Sequence, residues 1–161
     1  MGVKPSAEEL WMVQLRHTGI YVYDLNLMES FYKKVFDMHV ISSHIVQKDD
    51  LICDILKNND AEVLISKLIT EQGKINGTGD MLELVQVIGP SVKSSNSTRP
   101  MIWEQGIMHV AFGVCTVQKT AEKILKYGGS KVTEIHTMPN GNACGFFEDP
   151  EYNYIELIGK E

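Results

Sequence analysis

Alternating apolar and polar residues predict short strands along most of the chain, and the first such stretch spans residues 13–23. The alternation places Ile20 and Val22 on one face of this strand. The opposite face carries Leu15, His17, Gly19 and Tyr21. A strand with one apolar and one mixed face covers a core on one side only. We therefore predict that a helix packs against the Ile20 and Val22 face.

The helix that would do this follows at once, because apolar residues recur at helical spacing up to Asp37. Asn26 with Glu29 three residues later is a variant of the capping box and predicts the helix start. The apolar stripe consists of Met28, Phe31, Tyr32 and Val35. Strand-like runs follow over residues 38–47, 51–56, 61–69 and 81–87, with a polar, glycine-containing loop over residues 70–80.

The second half of the chain repeats this order after a linker predicted over residues 89–105. Residues 107–115 form a predicted strand, Thr116 caps a helix, and Gly128-Gly129 ends it. The helix stripe consists of Val117, Ala121, Ile124 and Leu125, and strands follow over residues 130–137, 143–148 and 152–159. We predict an α+β fold in which a first βαβββ module (13–88) and a second βαβββ module (106–159) make one 161-residue domain.

Four predicted strands carry an ionisable residue among apolar neighbours. These residues are His17, Glu83, His109 and Glu156. A histidine in a strand is usually a satisfied core or rim residue, and a glutamate there usually faces solvent. However, the two halves place a histidine near the start of the first strand and a glutamate in the middle of the last. This match favours one shared metal site, because burying a carboxylate is costly unless it is paired or bound to a metal.

Two imidazoles and two carboxylates without a thiolate suit a divalent ion of Ni, Zn, Co or Mn, and they do not choose among these ions. Such an ion polarises a bound carbonyl, so that a neighbouring C–H becomes acidic. A glutamate beside the ion can then carry the proton. Glu156 and Glu83 are both candidates for this base, with a preference for Glu156.

The composition excludes several other classes of function. A net charge of −6 argues against binding to nucleic acid or to an anionic membrane surface. No apolar run approaches the roughly 20 residues of a membrane span. Three cysteines without CxxC spacing fit buried free thiols in a reducing compartment. We therefore expect a cytoplasmic protein.

The motifs of the two halves also resemble those of the vicinal oxygen chelate superfamily, from about Leu15 to Ile158. The resemblance rests on His17-Thr18-Gly19-Ile20-Tyr21-Val22, Phe31-Tyr32-Lys33-Lys34-Val35-Phe36, Glu83, His109-Val110-Ala111-Phe112, and Glu148-Asp149-Pro150 with Ile155-Glu156-Leu157. It implies a U-shaped cleft formed by the two modules around a metal, a small-molecule substrate, and frequently a homodimer.

Within that superfamily, the His, Glu, His, Glu order looks most like glyoxalase I. The resemblance implies a metal-dependent lyase or isomerase that transfers a proton next to a metal-bound carbonyl, as a lactoylglutathione lyase does. Tyr21 and Val87 stand where that branch tends to carry an arginine and an asparagine for glutathione. The alternatives are an epimerase of a keto-sugar or acyl-CoA substrate and a protein that sequesters a small molecule. Lys67, Arg99, Trp103 and Asn140 are further candidates for the cleft, but a surface or packing role is favoured for each.

Overall fold

The computed structural model describes residues 15–77, 79–88, 102–103, 105–107 and 109–160. The first module consists of β1 (Thr18–Tyr21), α1 (Leu25–Phe36), β2 (His39–Gln47), α2 (Asp50–Leu56), β3 (Glu62–Ile69), α3 (Glu71–Asn76) and β4 (Met81–Ile88). The second module consists of β5 (His109–Thr116), α4 (Val117–Lys126), β6 (Ser130–Lys131), β7 (His136–Thr137), β8 (Ala143–Glu148) and β9 (Tyr154–Lys160). The predicted α+β fold is confirmed. Most of the predicted linker 89–105 lies outside the described residues.

Each module is built on one sheet whose first and last strands are parallel neighbours. The strand order is β1-β4-β3-β2 in the first sheet and β5-β9-β8-β6 in the second, where β7 also pairs with β8. The β1–β4 and β5–β9 pairs are parallel, and the other pairs are antiparallel. The first strand of each module, which follows His17 in β1 and starts at His109 in β5, therefore lies beside the strand that contains Glu83 or Glu156.

The predicted strand over residues 130–137 is interrupted, because β6 and β7 pair with β8 separately. Val132 N and Thr133 N both donate to the carbonyl oxygen of Phe146, at 3.0 and 3.1 Å. Two residues that share one partner make a bulge, which ends regular pairing at this point.

The apolar stripe of α1 is confirmed, because Met28, Phe31, Tyr32 and Val35 are all buried. The predicted capping box is wrong. Asp24 caps the helix, and its Oδ1 accepts a hydrogen bond from Leu27 N at 3.0 Å. Glu29 instead accepts hydrogen bonds from Ser43 and Ser66 and so ties the helix to the sheet.

Residues 51–56 were predicted as a strand, and this prediction is wrong, because they lie in the helix α2. Asp49 caps this helix by accepting a hydrogen bond from Ile52 N at 2.9 Å. A short apolar run does not distinguish a strand from a helix, and here a cluster with Val63, Ile65 and Val85 buries Ile52. The loop predicted over residues 70–80 also contains a helix, α3, whose cap is Thr70.

The helix α4 starts after Thr116 as predicted, although the Thr116 hydroxyl makes no capping hydrogen bond. Its stripe is confirmed for Val117, Ala121 and Ile124 and wrong for Leu125, which is half-exposed. The three cysteines are free, but none is fully buried: Cys115 is exposed, and Cys53 and Cys144 are half-buried. No helix of the described residues is long and apolar enough to cross a membrane.

The two modules share one hydrophobic core, which packs α1 and α4 between the sheets. The rings of Phe36 and Phe112 stack across the boundary with centroids 3.9 Å apart. The buried Tyr32 hydroxyl donates to Asp149 Oδ2 at 2.9 Å, and Asp149 belongs to the turn before β9. Glu151 in the same turn accepts hydrogen bonds from Tyr23 N and Asp24 N, at the start of α1.

Candidate metal centre

The parallel pair β1–β4 places His17 beside Glu83. Gly19 lies directly opposite Glu83 in the sheet, and His17 precedes Gly19 by two residues on the same face. His17 Nε2 and Glu83 Oε1 are 3.9 Å apart. The imidazole is 43% exposed and the carboxylate 18% exposed, so this pair faces outward from the sheet at a partly protected position. We call His17 and Glu83 the first half-site.

The pair β5–β9 repeats this arrangement in the second module. Ala111 lies opposite Glu156, and His109 precedes Ala111 by two residues. His109 Nε2 and Glu156 Oε2 are 3.2 Å apart, with 40% and 18% of the two side chains exposed. We call His109 and Glu156 the second half-site. The register offset between histidine and glutamate is the same in both modules.

The alternation of the strands explains why these polar side chains lie outside the core. Leu82 and Leu84 flank Glu83 in sequence, and Ile155 and Leu157 flank Glu156 in the same way. All four apolar side chains are buried in the shared core. Because successive side chains of a strand point to opposite faces, both glutamates lie on the faces away from α1 and α4.

Each glutamate has a second partner besides its histidine. Lys67 Nζ lies 2.9 Å from Glu83 Oε2, the oxygen that does not face His17. Cys144 Sγ donates to Glu156 Oε1 at 3.2 Å, and this too is the oxygen that does not face the histidine. Burial and the Glu156 carboxylate raise the pKa of the Cys144 thiol, which keeps it protonated as a donor.

Each half-site presents a nitrogen and an oxygen donor to one side. Two ligands of one ion at bond lengths of about 2.1 Å lie about 3.0 Å apart at right angles and about 3.4 Å apart at the tetrahedral angle. The 3.2 Å of the second half-site agrees with this range, and the 3.9 Å of the first needs a small side-chain rotation. The donor chemistry of each pair therefore fits half of a divalent metal site.

A single chain does not bring the two half-sites together. Among the residues that the structure describes, no three His, Cys, Asp or Glu side chains are close enough to hold one ion. A cavity of ≈ 1070 Å³ between the modules includes His17 in its lining, but not the other three residues. The predicted residues thus form two separate pairs within the chain.

A comparison with known protein families identifies the superfamily of the chain. The family model of the Glyoxalase/Bleomycin resistance protein/Dioxygenase superfamily matches residues 14–157. The chain belongs to this superfamily. The matched residues of this glyoxalase superfamily member span both modules and include all four predicted metal ligands. A search of curated proteins finds no match.

Solved structures of the glyoxalase superfamily share the fold. A glyoxalase family protein from Bacillus cereus is 18% identical, with a TM-score of 0.78 over 92% of this chain and 94% of that one. A protein of the superfamily from Frankia sp. is 16% identical, with a TM-score of 0.62 over 93% of each chain. A mutant fosfomycin resistance protein FosX from Listeria monocytogenes is 19% identical, with a TM-score of 0.52 over 92% of this chain and 93% of that one. The FosX structure contains Mn(II) and 1S,2S-dihydroxypropylphosphonic acid.

Two residues that depart from the glyoxalase I pattern lie near the first half-site. Tyr21 is 54% exposed and stands opposite Val85 in the sheet. Val87 packs against the apolar cluster beneath α2. Neither residue supplies the charge or amide that glutathione recognition was expected to need, and α2 covers the adjoining part of this face.

From the sequence, Lys67 was predicted only as a candidate for the cleft, with a surface or packing role favoured, and neither Cys144 nor Phe146 was predicted. Lys67 carried a signal that could have been used, because it is a charged residue among the apolar residues of a strand, as Glu83 is. Cys144 carried no such signal, since a thiol in a strand looks like an ordinary core residue. Phe146 packs edge-on against the His109 ring, with centroids 5.3 Å apart.

Proposed function

We propose that this protein is a metal-dependent lyase or isomerase that transfers a proton next to a carbonyl group, as glyoxalase I does. The observation that carries the proposal is the repeated His–Glu pair, with the same register offset in both modules. His17, Glu83, His109 and Glu156 would hold one divalent ion of Ni, Zn, Co or Mn. The Mn(II) of the FosX structure supports a divalent ion in this fold.

A homodimer would complete the site, because one chain holds two separate half-sites. The strands β1 and β5 are each an edge strand of their sheet. His17 directly precedes β1, and His109 is the first residue of β5. An edge strand has unpaired backbone groups that favour contact with another strand or chain. We infer that the first half-site of one copy meets the second half-site of another.

Glu156 is the better candidate for the base. Glu83 Oε2 already contacts the Lys67 ammonium at 2.9 Å, and its Oε1 faces His17 and the metal position. The partners of Glu156 are an imidazole and a thiol, and neither is a fixed cation. Glu156 would take the proton from the carbon next to the carbonyl and return it to the neighbouring carbon. A bound divalent ion supplies the polarisation that makes this C–H acidic.

An epimerase of a keto-sugar or acyl-CoA substrate is the second candidate. It is favoured by the first module, where Tyr21 and Val87 replace the expected glutathione anchors and Val87 lies in the cluster beneath α2. An epimerase would remove the proton next to the carbonyl in the same way, but it would return a proton to the same carbon from the opposite face. The third candidate, a protein that sequesters a small molecule, has no need for four metal ligands.

Exchange of solvent deuterium into the substrate tests the proposal. Protein loaded with nickel, zinc, cobalt or manganese is incubated in D₂O with the glutathione hemithioacetal of methylglyoxal, with a keto-sugar and with a 2-methyl acyl-CoA. We expect NMR to detect deuterium next to the carbonyl group of the product or of the recovered substrate for one of these compounds, and only with metal present. A loaded protein that exchanges none of them, while its metal-free form binds one tightly, would contradict an enzyme and support the binding protein.

A further inference from the structure

Lys67 lies beside Glu83 on the face that carries the first half-site. The strand register pairs Lys67 with Glu83, so both side chains stand on the same face of the sheet. Lys67 Nζ contacts Glu83 Oε2 at 2.9 Å, while Glu83 Oε1 faces His17. One oxygen of the carboxylate thus remains for a metal ion, and a lysine ammonium lies next to that position.

The second half-site has no lysine at the corresponding place. Phe146 lies opposite Glu156 in the register, as Lys67 lies opposite Glu83. The Phe146 ring packs against the His109 imidazole at an interplanar angle of 85°. Because the second module has an apolar ring at the equivalent position, the fold of a module does not require a lysine opposite the glutamate. The positive charge is a particular property of the first half-site.

Open space lies on the other side of Glu83. Gly19 is the residue opposite Glu83 on β1, and a Cβ added at Gly19 would meet no atom within 4 Å. The next residue pair along this face, Ile65 and Val85, is covered, because Ile52 of α2 packs against it. A small molecule can therefore lie over Gly19 and reach Glu83 and Lys67, whereas α2 limits its extent along the strands.

The charges of the completed site favour a negatively charged ligand. Two glutamate carboxylates balance a divalent ion when both histidines are neutral, which leaves the Lys67 ammonium as one positive charge in excess. An ammonium in a partly protected site attracts an oxyanion and binds it through a charge-assisted hydrogen bond. We propose that Lys67 binds an oxyanion of the substrate, a carboxylate or phosphonate next to the reacting carbonyl. This inference rests on the proposed function.

The test compares ligands that differ only in this charged group. Pyruvate carries a carboxylate, acetylphosphonate carries a phosphonate, and hydroxyacetone is a neutral compound of similar size. Their affinities for manganese-loaded protein are measured from the paramagnetic relaxation of the ligand methyl protons. The variant is Lys67→Met, and the matched control is Lys48→Met. Lys48 also contacts a strand glutamate, Glu62, at 2.8 Å, and its side chain is exposed to a similar degree.

We expect Lys67→Met to weaken pyruvate and acetylphosphonate binding by about tenfold, the size of one charge-assisted hydrogen bond. Loss for only one of the two would identify which oxyanion is recognised. Binding of hydroxyacetone should not change, and Lys48→Met should bind all three ligands as the wild type does. The manganese affinity of Lys67→Met should stay the same or increase, because a cation beside the metal position is removed.

Two results would overturn the inference while leaving the proposed function intact. One is wild-type affinity for both oxyanions in Lys67→Met, or no oxyanion binding to manganese-loaded wild type. The other is a loss of manganese affinity in Lys67→Met, which would mean that Lys67 only holds Glu83 in place. A wild type that binds none of the divalent metals would instead overturn the proposed function, and this inference with it.

Discussion

Replacing Glu156 by glutamine is expected to lower the turnover number by about 10²–10⁴-fold, the usual contribution of a general base. The change keeps the size of the side chain and removes its ability to take a proton. Glutamine can still accept the hydrogen bond from Cys144 through its carbonyl oxygen. We therefore expect the melting temperature to change by no more than a few degrees. Deuterium exchange and thermal unfolding measure the two effects separately.

A histidine–glutamate pair outside the two half-sites provides the control for this experiment. Glu71 pairs with His39, belongs to neither half-site, and has a side chain that is 63% exposed. Glu71→Gln should leave the turnover number unchanged. Wild-type turnover in Glu156→Gln would contradict the role of Glu156 as the base. The metal content of Glu156→Gln distinguishes loss of the base from loss of a ligand.

Replacing Asp149 by alanine is expected to lower the free energy of unfolding by about 3 kcal/mol, as is usual when a buried polar network is broken. Asp149 Oδ1 accepts hydrogen bonds from Glu151 N and Asn153 N, at 3.0 and 2.9 Å. Its Oδ2 accepts from Tyr32 and from Asn153 Nδ2. Alanine would leave the buried Tyr32 hydroxyl and two backbone N–H groups without these partners. Urea unfolding measures the effect.

The pH dependence gives this prediction a second readout. Burial raises the pKa of the Asp149 carboxyl in the folded state. The folded protein therefore holds this proton more tightly than the unfolded chain does. This difference in pKa between the folded and unfolded states stabilises the folded protein. The stabilisation is fully present below the pKa of the unfolded aspartate, about 4, and decreases as the pH rises through the pKa of the folded state. We expect Asp149→Ala to destabilise the protein more at pH 4 than at pH 7.

Tyr32→Phe is the matched control for Asp149→Ala. It removes one hydroxyl and leaves Asp149 with its other three donors, so a loss of only about 1 kcal/mol is expected. Equal losses in the two variants, or no loss in Asp149→Ala, would show that the turn before β9 does not depend on this carboxylate.

The strands and α1 could be predicted because their patterns are regular. Ile20, Val22 and the stripe from Met28 to Val35 follow the periods of a strand and a helix, and all of them are buried. The same alternation explains why Glu83 and Glu156 lie on the faces away from the core. The periodicity carries this information because side-chain direction is fixed by the backbone of each element.

Other features depend on contacts that no local pattern contains. The short run 51–56 becomes a helix because Asp49 caps it and a distant cluster with Val63 and Val85 buries Ile52. The contact between Lys67 and Glu83 depends on the antiparallel register of β3 and β4. The separation of the two half-sites depends on how the modules pack, which a sequence pattern within each module does not determine.

The central claim is that each metal site is shared by two copies of the chain, and mixed dimers test it most directly. Glu83→Ala destroys the first half-site and Glu156→Ala destroys the second, so neither homodimer should hold metal. Two different tags allow the mixed dimer to be purified and its metal to be counted. In a mixed dimer with shared sites, one site loses both glutamates and the other keeps all four ligands. We therefore predict about one ion per mixed dimer, compared with about two for the wild type. A mixed dimer without metal, or a homodimer of either variant with the full amount, would contradict the claim.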